Sequence, residues 1–209
     1  MRVPRVGLGI SGGIDSAVSA YLLKKKGYDV VAVNMINWDP REEGTSHCDR
    51  SHDEAVAKRA CQHLDIPFHS VNFVQQYWNQ VFSQMVDNYR LGRTVVPDIA
   101  CNRHIKFDHF HKFCRETLNA DYIATGHYAS TSREELGDLA EIPEDQKVDL
   151  LQAKDPLKDQ TFFLCTLDQA QLRRSLFPLR NITKNEVYEI ARREGLNEVA
   201  EKKEGNLQK

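Results

Sequence analysis

The chain has 209 residues, of which 41% are hydrophobic, and its formal net charge is −2. This length allows one domain with a buried core and a small second unit, and the charge excludes a protein that binds nucleic acid through a uniformly basic surface. The five cysteines include no CxxC pair, and no apolar run approaches the roughly 18 residues of a membrane span, so we expect a soluble protein of a reducing, intracellular compartment.

Segments typical of strands alternate with segments typical of helices along the chain. Strands are predicted over 5–10, 29–36, 67–73, 121–127 and 148–154. Helices are predicted over 16–27, 51–65, 75–92, 103–119 and 183–196, with Ser51 and Thr183 as caps. Loops are predicted over 94–102 and over the acidic stretch 134–145. The alternation predicts an α/β fold, a doubly wound parallel sheet with helices on both faces.

The turn SGGIDS, residues 11–16, joins the first predicted strand to the first predicted helix. In a doubly wound sheet this position lies beyond the carboxyl ends of the strands, where ligands bind. Glycines allow close approach of backbone N–H groups, and the helix N-terminus favours an anion, so the turn predicts a phosphate site. Asp15 fits such a site if a Mg²⁺ ion bridges it to the phosphate. The alternative is a tight turn with a serine cap.

The SGGIDS turn resembles the SGGxDS signature of the PP-loop ATP pyrophosphatases, a superfamily with several unrelated activities. Further motifs, in order and spacing, resemble those of the tRNA-specific 2-thiouridylases (the MnmA family and its mitochondrial counterparts). These motifs are NMINWD (34–39), IPFHSVNFVQQYWNQVF (66–82), PDIACNRHIKF (97–107), ADYIATGHYA (120–129), KDQTFFL (158–164) and FPLRNITKNEV (177–187). The resemblance runs from about residue 5 to residue 204.

The resemblance implies an enzyme that adenylates the C2 oxygen of the wobble uridine of tRNA with ATP and then replaces this oxygen with sulfur. It implies that Cys101 and Asp15 are catalytic and that Asp15 is the partner of Mg²⁺. The implied ATP-binding residues are Gly9, Ile10, Ser11, Gly12, Gly13, Ile14, Asp15, Ser16, Met35 and Gly126. Because Cys101 stands just before a predicted helix and near Arg103 and Lys106, we expect a lowered thiol pKa. Cys61 and Cys114 are predicted to be core residues.

For tRNA, the resemblance implies contacts with the anticodon arm and the target uridine. The implied contact residues are Val96, Pro97, Asp98, Lys158, Asp159 and Gln160. Two basic clusters are further candidates: Arg103, Lys106, Lys112 and Arg115, and Arg173, Arg174, Arg180 and Lys184. The other implied partner is a sulfur donor, such as a cysteine desulfurase or sulfur relay protein, with no membrane partner. We expect an ATP-binding domain over 1–165 and, over 166–209, the start of a central tRNA-binding domain.

The sequence departs from the family pattern at two places. Val96 stands where the family's PNPD loop has asparagine, and the family's second, sulfur-bearing cysteine in a GxCFIG segment is not found in this chain. We therefore expect an N-terminal catalytic portion, able to adenylate but not to complete sulfur transfer. Two alternatives are a non-catalytic tRNA- or nucleotide-binding relative and a PP-loop enzyme with a small-molecule acceptor. The expected compartment is mitochondrial for a eukaryotic source and cytoplasmic for a bacterial one, with no targeting peptide in the chain.

Overall fold

The computed structural model describes residues 2–38, 49–135, 142–143 and 145–196. Its strands are β1 (Arg5–Gly9), β2 (Asp29–Ile36), β3 (Phe68–Asn72), β4 (Tyr122–Ala124), β5 (Ser130–Thr131), β6 (Leu150–Leu151) and β7 (Ser175–Leu176). Five of them form a parallel sheet in the order β3-β2-β1-β4-β7, and β5 and β6 form a separate antiparallel pair. The predicted doubly wound parallel sheet is confirmed.

The helices connect these strands and cover both faces of the sheet. They are α1 (Ile14–Lys25), α2 (Asp49–His63), α3 (Val74–Tyr77), α4 (Ser83–Arg90), α5 (Pro97–Ala100), α6 (Phe110–Thr117), α7 (Ser132–Glu135), α8 (Gln169–Leu172) and α9 (Lys184–Arg193). Two stretches, Trp78–Phe82 and Cys101–His109, are π-helical, and Thr161–Leu164 is a 3₁₀ turn.

Alternate residues of the strands enter two separate cores. In β2, Val30 and Ala32 pack with α1, α2 and α9, whereas Val31 and Val33 pack with the helical run that ends in α6. Successive strand side chains point to opposite faces, so a strand covered on both sides is apolar throughout, as β2 is. Gly7 belongs to the second face, where a Cβ atom would lie 2.4 Å from the Cys114 sulfur. This packing holds β1 and its turn at the centre of the sheet.

Of the two predicted helix caps, one is present in the structure and the other is not. Thr183 caps α9 as predicted, in a reciprocal capping box with Glu186, whose pKa the Thr183 backbone N–H and Lys154 lower to about 2. Ser51 is not a cap, because α2 begins at Asp49. Most of the predicted acidic loop 134–145 lies outside the described residues, although α7 extends to Glu135.

Three predicted bounds are wrong. The helix expected to start at Arg103 begins at Pro97. Proline is tolerated at the first helical position because the N–H that it lacks would have no partner within the helix there. The strand expected over 121–127 is limited to β4, and its last residues turn away toward the site. The strand expected over 148–154 is limited to β6, which pairs outside the main sheet.

The predicted boundary after residue 165 does not coincide with an edge of the sheet or of the core. Strand β7, which the sequence prediction missed, extends the sheet beside β4, and Leu176, Val187 and Ala191 are fully or almost fully buried against α1. Residues 166–196 are therefore packed into the same cores as the parallel sheet.

Candidate active site

A cavity of about 380 Å³ lies at the carboxyl ends of β1, β2 and β4. Of the residues predicted to bind ATP, those lining it are Gly9, Ile10, Ser11, Asp15, Ser16, Met35 and Gly126. Gly12, Gly13 and Ile14 do not line it. Ile14 is completely buried, and Gly13 is the N-cap of α1. The cavity thus joins residues of three strand ends that are far apart in the sequence.

Hydrogen bonds within the SGGIDS turn fix its shape. The Ser16 hydroxyl donates to the Gly13 carbonyl at 2.9 Å and accepts from the Ser11 backbone N–H at 3.2 Å. Gly12 has φ +76°, and a Cβ atom there would lie 2.4 Å from the Asp53 carbonyl of α2. The conformation and the space both require glycine at this position. The turn is therefore held rigidly at the N-terminus of α1.

Gly126 brings the end of β4 against the start of α1. A Cβ atom at this position would lie 3.0 Å from the Ser16 backbone nitrogen and 3.1 Å from the Asp15 carbonyl carbon. We expected the missing side chain to allow the backbone close to a nucleotide. In this fold it allows the backbone close to the turn itself.

Three lysines from separate segments line the cavity: Lys106, Lys158 and Lys184. Lys184, the first residue of α9, donates to the carboxylate of Asp15, which also accepts from the Tyr128 hydroxyl at 2.8 Å. Burial and the neighbouring Asp15 raise the pKa of Tyr128, so this tyrosine remains a neutral donor. The Lys184 amine also lies 5.2 Å from the Tyr188 ring centre. Asp15 is thus part of a polar cluster and does not face the cavity alone.

His127 is a neutral, buried histidine that makes a long hydrogen bond with Lys106. Burial, with the nearby Lys106 charge, lowers the pKa of His127 well below its usual value. Its Nε2 lies 3.4 Å from the Lys106 amine and its Nδ1 lies 2.8 Å from the Thr125 hydroxyl. Because an ammonium group can only donate, Nε2 is the acceptor and Nδ1 carries the proton. The ring therefore positions Lys106 without neutralising its charge.

Cys101 lies inside a helix, in the first residue of the π-helical stretch, and not before a helix as predicted. The expectation of a lowered pKa is wrong. Burial raises the pKa of the Cys101 thiol and Asp98 adds to this, while Lys106 acts in the opposite direction. The thiol is partly accessible and does not line the cavity described above. Cys61 and Cys114 are buried core residues, as predicted, and burial raises the pKa of Cys61 to about 12.

The residues predicted to contact tRNA fall into two places. Val96 and Pro97 line a separate cavity of about 280 Å³ together with Arg103 and His104. Lys158 and Gln160 instead line the first cavity, where the Gln160 side-chain oxygen accepts from the Tyr128 N–H at 3.0 Å.

Asp159 has a local structural role. Its carboxylate accepts from the Ala153 N–H at 2.8 Å and from the Thr161 hydroxyl at 2.9 Å, so it shapes the loop that carries Lys158. Asp98 lies in the first turn of α5.

The basic clusters are divided in the same way. Lys106 and Lys184 belong to the first cavity, whereas Lys112 is exposed and pairs with Asp108 at 2.8 Å. Arg173 donates to backbone carbonyl groups, including that of Pro143 at 3.0 Å. Each cluster therefore contributes one lysine to the first cavity.

Residues 4–206 match the family model described as the tRNA methyl transferase HUP domain. The chain belongs to this family. It is 58% identical to a probable mitochondrial tRNA-specific 2-thiouridylase 1 of Caenorhabditis elegans, over 97% of this chain and 53% of that protein. It is 47% identical to the tRNA-specific 2-thiouridylase MnmA of Malacoplasma penetrans, over 92% of this chain and 53% of that protein. It is 48% identical to mitochondrial tRNA-specific 2-thiouridylase 1 of Gallus gallus, over 96% of this chain and 50% of that protein.

These comparisons confirm the resemblance to the tRNA-specific 2-thiouridylases. The family model's description names a methyl transferase, whereas these three relatives are all named thiouridylases. The chain spans about half the length of the curated relatives it matches. Among the described residues, no helix is long and apolar enough to cross a membrane.

Sequence reasoning missed the part that several residues play in this thiouridylase-family site. Thr125 and Tyr128 line the cavity but were not singled out, and Lys106 and Lys184 were assigned to basic clusters. Lys184 meets Asp15 across 169 positions of the sequence. The motifs PDIACNRHIKF, ATGHY and FPLRNITK contain these residues, but the motifs do not reveal which of the residues come into contact.

Proposed function

We propose that this chain is the ATP-binding part of a tRNA-specific 2-thiouridylase and adenylates the C2 oxygen of a wobble uridine in tRNA. The observation that carries the proposal is the cavity in which the SGGIDS turn, the α1 N-terminus and three lysines converge. Backbone N–H groups, a helix N-terminus and ammonium groups are complementary to a triphosphate. The family membership and the names of the relatives supply the reaction.

Adenylation makes the uridine oxygen a competent leaving group. The C2 oxygen forms a bond to the α-phosphorus of ATP, and the bond between this phosphorus and pyrophosphate breaks. Negative charge grows on the departing pyrophosphate, and Lys158 and Lys184 are placed to stabilise it. The rigid turn at Gly12 and Ser16 would hold the phosphates in line.

Mg²⁺ fits this site as an ion that would bind together with the phosphates of ATP. Among the described residues, no cluster of three or more metal-binding side chains exists, but Mg²⁺ commonly binds through one or two carboxylates and the phosphates of a substrate. Asp15 is the carboxylate at the cavity that would hold it. The ion would neutralise phosphate charge. Asp15 would then serve both this ion and Lys184.

Cys101 is proposed as the first of the two cysteines of sulfur transfer, with a cysteine desulfurase or sulfur relay protein as the donor. Its thiol must first lose a proton against the effect of its burial. The sulfur-bearing second cysteine of the family pattern would have to come from outside this chain. Complete thiolation is therefore proposed for an enzyme that includes such a cysteine.

For tRNA, Val96, Pro97 and Asp98 are proposed to face the target base, and Lys158, Asp159 and Gln160 to contact the anticodon arm. Val96 is 39% exposed and offers an aliphatic surface where the family pattern has an amide. Since Lys158 and Gln160 also line the ATP-type cavity, they would contact both substrates.

We also propose that the ATP-binding domain extends at least to Leu196, with the tRNA-binding domain after it. A mitochondrial compartment is proposed for a eukaryotic source, after the names of the relatives, and a cytoplasmic one for a bacterial source.

The test is release of AMP and pyrophosphate from ATP and Mg²⁺, with and without unmodified tRNA. We expect tRNA to stimulate release, Asp15→Ala to abolish it, and Cys101→Ser to retain it, since adenylation precedes the sulfur step. Nucleotide binding without any effect of tRNA would contradict the proposal and favour a non-catalytic nucleotide-binding protein. Release stimulated by a small-molecule acceptor instead of tRNA would indicate a different PP-loop enzyme.

A further inference from the structure

Lys106 presents a loosely held ammonium group to the ATP-type cavity. Its only described partner is the neutral ring of His127 at 3.4 Å, the upper end of hydrogen-bonding distances. Among the described residues, no carboxylate lies within ion-pairing distance of this amine. Lys184, by contrast, is paired with Asp15 at the other side of the same cavity. Lys106 can therefore move to a new anion without breaking an ion pair.

Lys106 also lies in the same helical run as Cys101, close enough for its charge to act on the thiol. Hydrogen bonds in a π-helix span five residues, so the π-helical stretch that starts at Cys101 places Lys106 one turn further along the same side. Three groups act electrostatically with the thiol: Asp98 from α5, Tyr77 from α3 and Lys106. Lys106 is the one of the three that favours the thiolate. Asp98, when ionised, opposes it.

We propose that Lys106 is a shared positioning residue, which holds the phosphates of bound ATP and then, after pyrophosphate leaves, stabilises the Cys101 thiolate. This inference rests on the proposed function. In this inference, one side chain ensures that adenylation of the uridine precedes activation of the Cys101 thiol.

The physical basis is that one ammonium group cannot fully stabilise two separate anions at the same time. A triphosphate carries several negative charges, so a mobile lysine at the cavity is drawn toward it. While the nucleotide is bound, the buried thiol keeps its proton and is a poor nucleophile. Departure of pyrophosphate returns the ammonium group to Cys101. The thiol would then be activated only after the uridine has been adenylated.

The test measures alkylation of Cys101 by iodoacetamide across a pH series, followed by mass spectrometry of the peptide that contains it. The chain is compared with and without Mg²⁺ and α,β-methylene-ATP, an analogue that cannot release pyrophosphate. The variants are Lys106→Met, Lys106→Gln and the charge-conserving Lys106→Arg. The matched control is Lys112→Met, an exposed lysine of the next helix whose partner is Asp108.

Without nucleotide, we expect Lys106→Met and Lys106→Gln to slow alkylation near pH 8 several-fold, since the cation that favours the thiolate is lost, and Lys106→Arg to restore it. The analogue should slow alkylation several-fold in the wild type but not further in Lys106→Met. Lys112→Met should behave as the wild type in both arms.

Three outcomes would overturn the inference. The first is that the analogue leaves the alkylation profile of the wild type unchanged. This outcome does not depend on whether any variant folds. The second is slowing by the same factor in the wild type and Lys106→Met, which would indicate steric cover of the thiol. The third is a Lys106→Met profile equal to that of Lys112→Met. A parallel calorimetric titration separates the proposals, because lack of nucleotide binding would contradict the proposed function itself.

Discussion

At the residue scale, small side chains and charges from distant segments shape the site. Gly12 and Gly126 let three backbone segments meet where a side chain could not fit, and Lys106 and Lys184 bring charge from distant segments. The glycines were predictable as members of a motif. Their physical role was not, because it depends on contacts with Asp53 and with Ser16 that only the fold creates.

Gly126→Ala tests this close approach. The new Cβ atom would meet backbone atoms of Asp15 and Ser16, which cannot rotate away. We expect a loss of about 1–3 kcal/mol in the free energy of unfolding, together with weaker binding of α,β-methylene-ATP. Urea denaturation and calorimetry measure the two effects.

Gly92→Ala is the control for this substitution. Gly92 has φ +71° and no atom within 4 Å of the position of a Cβ, so the variant should lose about 1–2 kcal/mol through backbone strain alone. It should bind the nucleotide analogue as the wild type does. Unchanged nucleotide affinity in Gly126→Ala would contradict the role given to that glycine.

At the element scale, sequence patterns predicted an element correctly where its cap or its turn is formed by residues that are adjacent in the sequence. The capping box of α9 and the turn before α1 are of this kind. The π-helical stretch after α5 and the two-residue β7 were not predictable, since one depends on packing of the helix and the other has no periodicity. The error over Pro97 changed the setting expected for Cys101.

Thr183→Ala tests whether α9 serves the site as well as the fold. Its hydroxyl caps the helix whose first residue is Lys184, so we expect a loss of about 1 kcal/mol in stability and a weaker affinity for the nucleotide analogue. Asp168→Ala removes the equivalent cap of α8, which supplies no residue to the cavity. Both variants should unfold at lower urea concentration, but only Thr183→Ala should bind nucleotide less tightly. Equal affinities would contradict the link between cap and site.

At the scale of the whole molecule, the site depends on residues that lie after the boundary suggested by the sequence. β7 and α9 complete the sheet and one core, and α9 delivers Lys184 to the turn near the N-terminus. The fold class could be predicted from strand and helix alternation because each strand and each helix is formed by residues that are close together in the sequence. The contact of α9 with α1 could not, since it joins residues from opposite ends of the sequence.

Truncation after residue 165 tests this dependence. It removes Leu176, Leu179 and Val187 from the core, and each such side chain contributes about 1.5–3 kcal/mol when buried. We expect the fragment 1–165 to lack a cooperative urea transition by circular dichroism, whereas a chain ending at residue 196 should retain it. A cooperative transition of the shorter fragment would show that the domain ends where the sequence suggested.

The most direct test of the account is a calorimetric titration of the chain with α,β-methylene-ATP and Mg²⁺, because its central claim is that the cavity holds ATP. We predict saturable binding of one nucleotide per chain, weakened about tenfold or more by Lys184→Met. Lys154→Met should bind normally, because Lys154 pairs with Glu186 on the surface and does not line the cavity. No saturable binding by the wild type, or equal binding by Lys184→Met, would contradict the account.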